Sequence, residues 1–320
     1  MNWTGARLST QHVDGVLEVA LHADPLNEIG LDMLAELERV AAMIRDGVGG
    51  ARAVLFHSEN AKGFSAGANL WELHQGLSSA DEGMGALRDH ASRLFDSPRR
   101  ATRAGASALK GALRGDYGLD PLRAAKVWGV RAFLDRIHAV FDTFDTAPIP
   151  VIAAVHGVCF GGGFELALTA DVIVADKTAR FAFPELRLGL VPGFGGVPRL
   201  ERDLGNALVR ELLLSGRSLG APRAHEVGLV AQLVAPGKAL DVARKLAKQT
   251  QKFDAATVAA AKPFLKPFPA RRLAEEKALF CRLLTSPAVM EALDAFVHSK
   301  DAMPYLPRAR APRTQASPAS

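Results

Sequence analysis

The sequence predicts an α/β fold in which strands alternate with helices and the carboxyl-terminal third is helical. Three observations predict this class. Short, continuous apolar runs, typical of buried strands, occur at residues 53–56, 151–155 and 172–175. Apolar residues at helical spacing lie between these runs, and from residue 205 onward helical periodicity prevails without strand-like runs. A chain of 320 residues is also long enough to bury one large core.

The amino-terminal part reads as strand, helix, strand and loop. Residues 16–21 are strand-like, and a turn at residues 22–25 follows them. A helix is indicated next, because apolar residues recur on one face; these are Leu34, Leu37, Val40, Ala41 and Ile44. The buried strand at residues 53–56 then leads into a loop at residues 62–68, which contains two glycines.

Residues 76–123 have the composition of an insertion rather than of a core. Residues 87–137 carry eleven Lys or Arg against five Asp, and residues 307–320 carry three Arg and no acid. The net charge of +5 therefore belongs to these segments, and the rest is mildly acidic. We expect a mobile insertion and a disordered tail. The expected organisation is a core over residues 1–205, a helical region over 206–306, and the tail.

The second half repeats the alternation of strand and helix. A helix is predicted by the spacing of Val127, Val130, Leu134, Ile137, Phe141 and Phe144, and two prolines end it at residues 148–150. A strand, a glycine triplet at 161–163, a helical run at 164–169 and another strand follow. Three further helical runs are indicated at residues 208–214, 239–249 and 274–284.

Several functional classes are disfavoured by composition. No apolar run approaches the roughly 20 residues that a membrane-spanning helix needs, and the first residues lack an apolar secretory core. We therefore expect a cytoplasmic location and no membrane partner. Cys159 and Cys281 have no Cys or His at zinc spacing, so we expect buried thiols and no metal site.

The glycine triplet does not fit a nucleotide-binding motif. A P-loop needs Lys and Ser/Thr after its last glycine, and the dinucleotide fingerprint needs glycine where Leu166 stands. What remains is a tight turn before a helix whose free N–H groups favour negative charge. Gly162 is then a candidate donor to an oxyanion. The alternative is a strand-to-helix connection that binds no ligand.

Two glutamates are candidates for proton transfer. Glu165 lies in the first turn of the predicted helix, where an acid also suits the helix dipole alone. Glu185 lies between apolar neighbours that favour an enclosed position and disfavour its ionised form. Each has a purely structural alternative. Together, beside a turn that accepts an oxyanion, the two suffice for general acid and general base catalysis.

The order of these segments and their residue motifs resemble those of the crotonase, or enoyl-CoA hydratase/isomerase, superfamily. The similarity is carried by residues 63–70, 156–167, 171–175, 183–185 and 189–196. The resemblance implies a crotonase-type spiral of repeated ββα units, with a helical carboxyl-terminal region that forms a homotrimer or a hexamer. The segment at 76–123 is longer and more basic than the usual connection in the family, and Asn69 stands where Asp is frequent.

The resemblance also implies roles for individual residues. The N–H groups of Ala68 and Gly162 would form an oxyanion hole, and Glu165 and Glu185 match the two hydratase carboxylates. Glu165 would act as base toward a water that adds to the β-carbon, and Glu185 would protonate the α-carbon. The further substrate-binding residues implied are Ala66, Gly67, Leu70, Trp71, Gly161, Pro184, Leu190 and Gly193.

The activity implied is hydration of a 2-enoyl-CoA to a 3-hydroxyacyl-CoA, or its reverse. Coenzyme A is part of the substrate, and we expect no other cofactor. An enoyl-CoA isomerase is the first alternative, and a hydrolase or decarboxylase on the same scaffold is the second. A non-catalytic RNA-binding protein is disfavoured, because residues 87–137 offer few aromatic side chains to stack on bases. No nucleic-acid partner is therefore expected.

Overall fold

The computed structural model describes residues 2–78 and 127–299 of the chain. The strands within these residues are β1 (Trp3–Thr4), β2 (Leu8–Val13), β3 (Val16–Leu21), β4 (Ala53–Ser58), β5 (Gly63–Ser65), β6 (Val151–Val155), β7 (Val158–Phe160), β8 (Val172–Asp176), β9 (Arg180–Ala182), β10 (Leu219–Gly220) and β11 (Gln232–Val234). The helices are α1 (Leu31–Arg45), α2 (Trp128–Asp145), α3 (Gly162–Ala167), α4 (Gly196–Leu204), α5 (Asn206–Ser215), α6 (Ala221–Glu226), α7 (Ala239–Thr250), α8 (Ala255–Leu265), α9 (Ala270–Leu283) and α10 (Pro287–Val297). Residues 70–78 are also helical.

The larger sheet is mostly parallel and is buried on both faces. Its strand order is β1-β2-β3-β4-β6-β8-β11. Strands β3, β4, β6, β8 and β11 run parallel, whereas β1 and β2 pair antiparallel at one edge. Every residue of β6 is buried, which explains why this strand appears in the sequence as a continuous apolar run. Every residue of β3 is buried as well, and its one charged side chain, Glu18, pairs with Arg244 of α7. The predicted α/β class is confirmed.

Helices cover the two faces of this sheet in different ways. On one face, α1 and α2 bury their predicted apolar rows in the main core. On the other face, α7 places Ala239, Ala243 and Ala247 against the sheet, in a smaller core that includes Leu55 and Ile152. These alanines recur every four residues and therefore lie on one side of the helix. Their short side chains let the helix pack close to the strands.

The smaller sheet positions the segments that carry the candidate site. Its order is β10-β9-β7-β5, and β5, β7 and β9 run parallel. Parallel neighbours end at the same edge of a sheet. The chain that leaves these three strands therefore brings Ala68, Gly162 and Glu185 to one edge, although they are far apart in the sequence.

Most predicted elements are confirmed, and two details are wrong. The four predicted strands and the helices α1 and α2 are present. However, the carboxyl-terminal third also contains β10 and β11, which are only two and three residues long and leave no strand pattern in the sequence. The helical run predicted at 164–169 begins earlier, at Gly162, because the last two glycines of the triplet are themselves helical.

The predicted insertion and tail fall largely outside the residues that the structure describes. The predicted insertion at 76–123 lies outside the described residues from position 79 onward, as does the whole tail at 307–320. Cys159 and Cys281 are buried free thiols, as expected. Among the described helices, none has the length and apolar character needed to cross a membrane.

Candidate active site

A cavity lies where the chain leaves β5, β7 and β9. Its lining includes Ala68, Gly162, Glu165 and Glu185. The other predicted substrate-binding residues that line it are Ala66, Leu70, Gly161, Pro184, Leu190 and Gly193. Gly67 and Trp71 are not among the lining residues, and Trp71 is about half exposed.

Two backbone N–H groups lie next to each other in this cavity. A Cβ atom on Gly162 would lie 3.3 Å from the nitrogen of Ala68, and one on Gly67 would lie 2.9 Å from the nitrogen of Gly162. Only glycine permits this approach, and Gly67 also has a φ of +102°. Neither N–H donates to a backbone carbonyl within the described residues. Both are therefore available to one ligand oxygen.

The loop that carries Ala68 is held in place by Ile29. The N–H of Ile29 donates to the carbonyl of Gly67 at 2.7 Å, and the N–H of Asn69 donates to the carbonyl of Ile29 at 3.1 Å. These two bonds form a short parallel bridge between Ile29 and Ala68. The pairing uses the neighbours of Ala68 and leaves its own N–H unpaired.

Glu165 projects from the first turn of α3 and is only 2% exposed. Its Oε1 accepts hydrogen bonds from the N–H groups of Phe194 and Gly196, each at 2.8 Å. Burial raises the pKa of Glu165 to about 7, and these N–H donors oppose that rise because they stabilise the carboxylate. The carboxyl can therefore gain or lose a proton near neutral pH.

Glu185 begins the short 3₁₀ turn Glu185–Leu188, directly after β9 and Pro184. The residue is partly buried, but its Oε2 is fully buried and has no hydrogen-bond partner among the described residues. Its Oε1 lies 2.7 Å from the position that a Cβ on Gly161 would take. Burial, and then the carboxyl of Glu165, raise the pKa of Glu185 well above its ordinary value.

A second cavity adjoins the first. The two share four lining residues, which are Ala68, Leu73, Phe194 and Phe280. The second cavity is the larger, at about 230 Å³ against about 60 Å³, and most of its described lining is apolar. The ring of Phe194 also contacts Gly162, where an added Cβ would lie 2.6 Å from its Cε2. Phe194 therefore lines both cavities and lies against Gly162.

The described residues contain no cluster of three His, Cys, Asp or Glu side chains that could hold a metal ion. The chemical groups that the first cavity offers are two carboxyls and two free N–H groups. Such a set can stabilise an oxyanion and move protons beside it.

Comparison with known proteins identifies the family. The enoyl-CoA hydratase/isomerase family model matches residues 132–303, which is more than half of the chain. A probable enoyl-CoA hydratase from Rhizobium meliloti (strain 1021) is 34% identical over 219 residues, which cover 67% of this chain and 84% of that protein. The chain belongs to the enoyl-CoA hydratase/isomerase family. The resemblance to the crotonase superfamily is thereby confirmed.

Other relatives agree with this family assignment. A carnitinyl-CoA dehydratase from Escherichia coli O157:H7 is 41% identical over 154 residues, which cover 48% of this chain but only 57% of that protein. The chain thus spans little more than half the length of this curated relative. A solved enoyl-CoA hydratase/isomerase from Xanthobacter autotrophicus Py2 has a TM-score of 0.68 at 22% identity and covers 91% of this chain and 93% of its own. This likeness confirms the crotonase-type fold.

Within this family member, sequence reasoning missed several residues around the site. They are Leu73, His138, Leu188, Phe194, Arg199, Glu276 and Phe280. One signal was available for Glu276: it lies three residues after Leu273 and four before Phe280, on the apolar side of α9. A glutamate at such a position indicates a specific buried partner. Burial, and then the carboxyl of Glu165, raise the pKa of Glu276 also.

Proposed function

We propose that the protein adds water to a 2-enoyl-CoA thioester to give a 3-hydroxyacyl-CoA, or catalyses the reverse dehydration. The observation that carries the proposal is the difference between two carboxyls that line one cavity. The pKa of Glu165 is raised to about 7, whereas the pKa of Glu185 is raised well above its ordinary value. We assign the general base to Glu165, whose ionised form is stabilised by the N–H groups of Phe194 and Gly196, and the general acid to Glu185, whose buried Oε2 has no donor that would stabilise an anion.

The proposed reaction begins with the thioester carbonyl oxygen at the N–H groups of Ala68 and Gly162. Glu165 removes a proton from water as the water oxygen bonds to the β-carbon. The electron pair of the double bond moves toward the thioester, and the two N–H groups stabilise the resulting enolate oxygen. Loss of one such donor typically costs about 3 kcal/mol of transition-state stabilisation.

Proton delivery from Glu185 to the α-carbon completes the addition. The product has gained one water: its hydroxyl on the β-carbon and a hydrogen on the α-carbon. Glu165 then holds one proton more than before and Glu185 one proton fewer. Proton exchange with solvent, or between the two neighbouring carboxyls, restores the starting state. The reverse sequence of steps eliminates water from a 3-hydroxyacyl thioester.

Two lines of support favour hydration over isomerisation. An isomerase needs only one carboxyl, which moves a proton between two carbons. A second carboxyl with a different pKa would have no role in that reaction. The names of two relatives, a carnitinyl-CoA dehydratase and a probable enoyl-CoA hydratase, also describe addition or removal of water. A hydrolase or decarboxylase on the same fold remains the further alternative.

The second cavity supports a hydrocarbon acyl group. Within its described lining, Glu72 is the one acidic side chain. Its Oε2 accepts from the N–H of Leu31 at 2.7 Å, and its Oε1 accepts from Nδ2 of Asn69 at 3.0 Å. These bonds hold the Glu72 carboxyl in place, and the described lining offers no second acidic side chain to a cationic acyl group such as the carnitinyl group.

The first experiment is a turnover screen with purified protein. The substrates are crotonyl-CoA, longer straight-chain 2-enoyl-CoAs, a 3-enoyl-CoA and carnitinyl-CoA. We expect the 2-enoyl-CoAs to lose their conjugated thioester absorbance and to give products heavier by one water. Carnitinyl-CoA already carries a 3-hydroxyl group, so its reaction would be loss of water with a gain of that absorbance, and we expect it to be slower than hydration of the straight-chain substrates. Release of free coenzyme A would indicate a hydrolase. Conversion of the 3-enoyl-CoA without any hydration would indicate an isomerase, and either result contradicts the proposal.

We also propose that the chain assembles as a homotrimer or a hexamer. Helix α8 supports this proposal, because it has no buried residue and ends in two apolar side chains, Phe264 and Leu265, that are 87% and 74% exposed. Large apolar side chains grouped on a surface typically mark a contact between subunits. The absence of a nucleic-acid partner and of a further cofactor, and a cytoplasmic location, stay predictions.

A further inference from the structure

The loop over residues 193–197 connects the two cavities to the start of α4, and two buried glutamates bind it in alternation. Oε1 of Glu165 accepts from the N–H groups of Phe194 and Gly196. Oε1 of Glu276 accepts from the N–H of Gly195 at 2.7 Å, and its Oε2 accepts from the N–H of Val197 at 2.9 Å. Four consecutive N–H groups thus point alternately to a carboxyl of α3 and to a carboxyl of α9.

The carbonyl groups of the same loop are bound by buried side chains as well. Nη1 of Arg199, which is fully buried, donates to the carbonyl of Phe194 at 2.9 Å. Nε2 of His138 lies 2.8 Å from the carbonyl of Gly193 and therefore donates to it, since a carbonyl can only accept. Burial lowers the pKa of His138 to about 4, so the ring is neutral. The loop is therefore fixed from several directions.

Burial of the Glu276 carboxyl is unfavourable unless its hydrogen bonds to the loop compensate for its removal from water. Glu276 is only 6% exposed and lies on the apolar side of α9 between Leu273 and Phe280. Moving a carboxyl from water into such surroundings costs several kcal/mol, and an apolar side chain of similar size avoids that cost. Packing alone therefore does not account for a glutamate here. Its two bonds to the loop are the feature that an apolar residue lacks.

The two hydrogen bonds of Glu276 influence the candidate active site because they alternate along the loop with those of Glu165. The amides that Glu276 binds lie on either side of the Gly196 amide, and the Gly195 amide directly follows that of Phe194. A shift of the Gly195 or Val197 amide therefore moves the donors that orient Glu165. It also moves the Phe194 ring, which contacts Gly162 in the predicted oxyanion hole.

We propose that Glu276 is a positioning residue of the active site, which holds the 193–197 loop so that the loop amides orient Glu165 and keep Phe194 against Gly162. This inference rests on the proposed hydratase function, because its effect on rate is exerted through Glu165. Displacement of a catalytic group by about 1 Å can lower a rate by about 100-fold. Glu276 itself lines neither cavity.

A simpler role for Glu276 would be to fasten α9 to α4. The chain offers a matched control for that role, because Glu201 of α4 accepts from Nε and Nη2 of Arg272 of α9 at 3.1 and 2.9 Å. This pair links the same two helices without contacting the loop. Glu201→Gln weakens the link between the helices, and Glu276→Gln places an amide donor against one of the two loop N–H groups.

The decisive experiment is a double-mutant cycle on hydration rates. We expect Glu276→Gln to lower kcat about 10- to 100-fold with KM changed less than about twofold, and Glu201→Gln to change neither by more than about twofold. In a Glu165→Gln background, Glu276→Gln should cause no further loss of kcat beyond about twofold. Independent, multiplicative losses would overturn the proposal, as would equal effects of the two single variants.

Amide hydrogen exchange of the loop separates this inference from the proposed function. In Glu276→Gln, the amides of Phe194 and Gly196 should exchange faster than in the wild type, although Glu276 does not bind them. If the wild type hydrates no enoyl-CoA but this exchange result holds, the proposed function fails and the positioning role stands. If exchange is unchanged, the positioning role fails. Should Glu276→Gln not fold, Glu276→Asp keeps both acceptor oxygens and should show the same changes at smaller size.

Discussion

The carboxyls of Asp145 and Glu185 lie in two regions of the protein and face different groups. At the carboxyl end of α2, Asp145 accepts from Arg199 and Arg202 at 3.0 Å and from Lys266 at 2.8 Å. In the candidate active site, Oε2 of Glu185 has no hydrogen-bond partner among the described residues, and its ionisable neighbour is the carboxyl of Glu165. Both carboxyls are removed from water, but only Asp145 is surrounded by cations.

The two environments shift the pKa in opposite directions. Burial by itself raises the pKa of Asp145, but three cations lower it to about 2, whereas burial and a second carboxyl raise that of Glu185. Burial therefore does not decide what a carboxyl can do. Neighbouring charge decides whether it is a permanent anion that binds helices together or an acid that can deliver a proton.

The largest expected effect is on catalysis at the active-site carboxyls. We expect Glu165→Gln and Glu185→Gln each to lower kcat by about 100- to 10 000-fold, since each removes a general base or acid. We expect the free energy of unfolding to stay within about 1 kcal/mol of the wild type, because the amides keep the shape of the side chains. Enoyl-CoA hydration rates and urea unfolding measure the two effects.

Two results would contradict this difference between the regions. Full activity of both variants would remove Glu165 and Glu185 from the mechanism. A loss of unfolding free energy larger than about 3 kcal/mol, with activity retained, would make them structural anions like Asp145.

A somewhat smaller effect is expected on stability at the ion-paired carboxyl. Asp145→Asn should lower the free energy of unfolding by about 3–5 kcal/mol, because it removes the buried counterion that three cations share. The matched control is Asp203→Asn, which removes the other partner of Arg202 at a more exposed position and should cost less than about 1 kcal/mol. Urea unfolding of both variants checks this. Equal costs would show that burial of the Asp145 cluster does not matter.

Local pattern in the sequence predicted much of the fold. Strands β4, β6 and β8 appear as apolar runs because nearly all of their residues are buried, and α1 and α2 repeat apolar residues at helical spacing. Strands β10 and β11 were missed because two or three residues cannot show a period. Their pairing with β9 and β8 comes from the tertiary fold.

Some residues of the candidate site were predicted from the sequence and others were not, again because tertiary contacts leave no local pattern. Ala68, Gly162, Glu165 and Glu185 lie in motifs that resemble the family, and they line one cavity. Glu276 contacts a loop about 80 residues away in the sequence, and a single sequence contains no record of that contact. Its only signal was a glutamate on the apolar side of a helix.

The central claim is that one carboxyl of the site is ionised near neutral pH while the other stays protonated. The dependence of kcat/KM on pH tests it most directly for a purified enzyme that hydrates a 2-enoyl-CoA. Because the base must be ionised, the rate should fall about tenfold per pH unit below about pH 7, the pKa of Glu165. Because the acid must be protonated, the rate should fall again at high pH, and Glu185→Gln should remove that second fall. A rate that does not vary between about pH 5 and 9 would contradict the account.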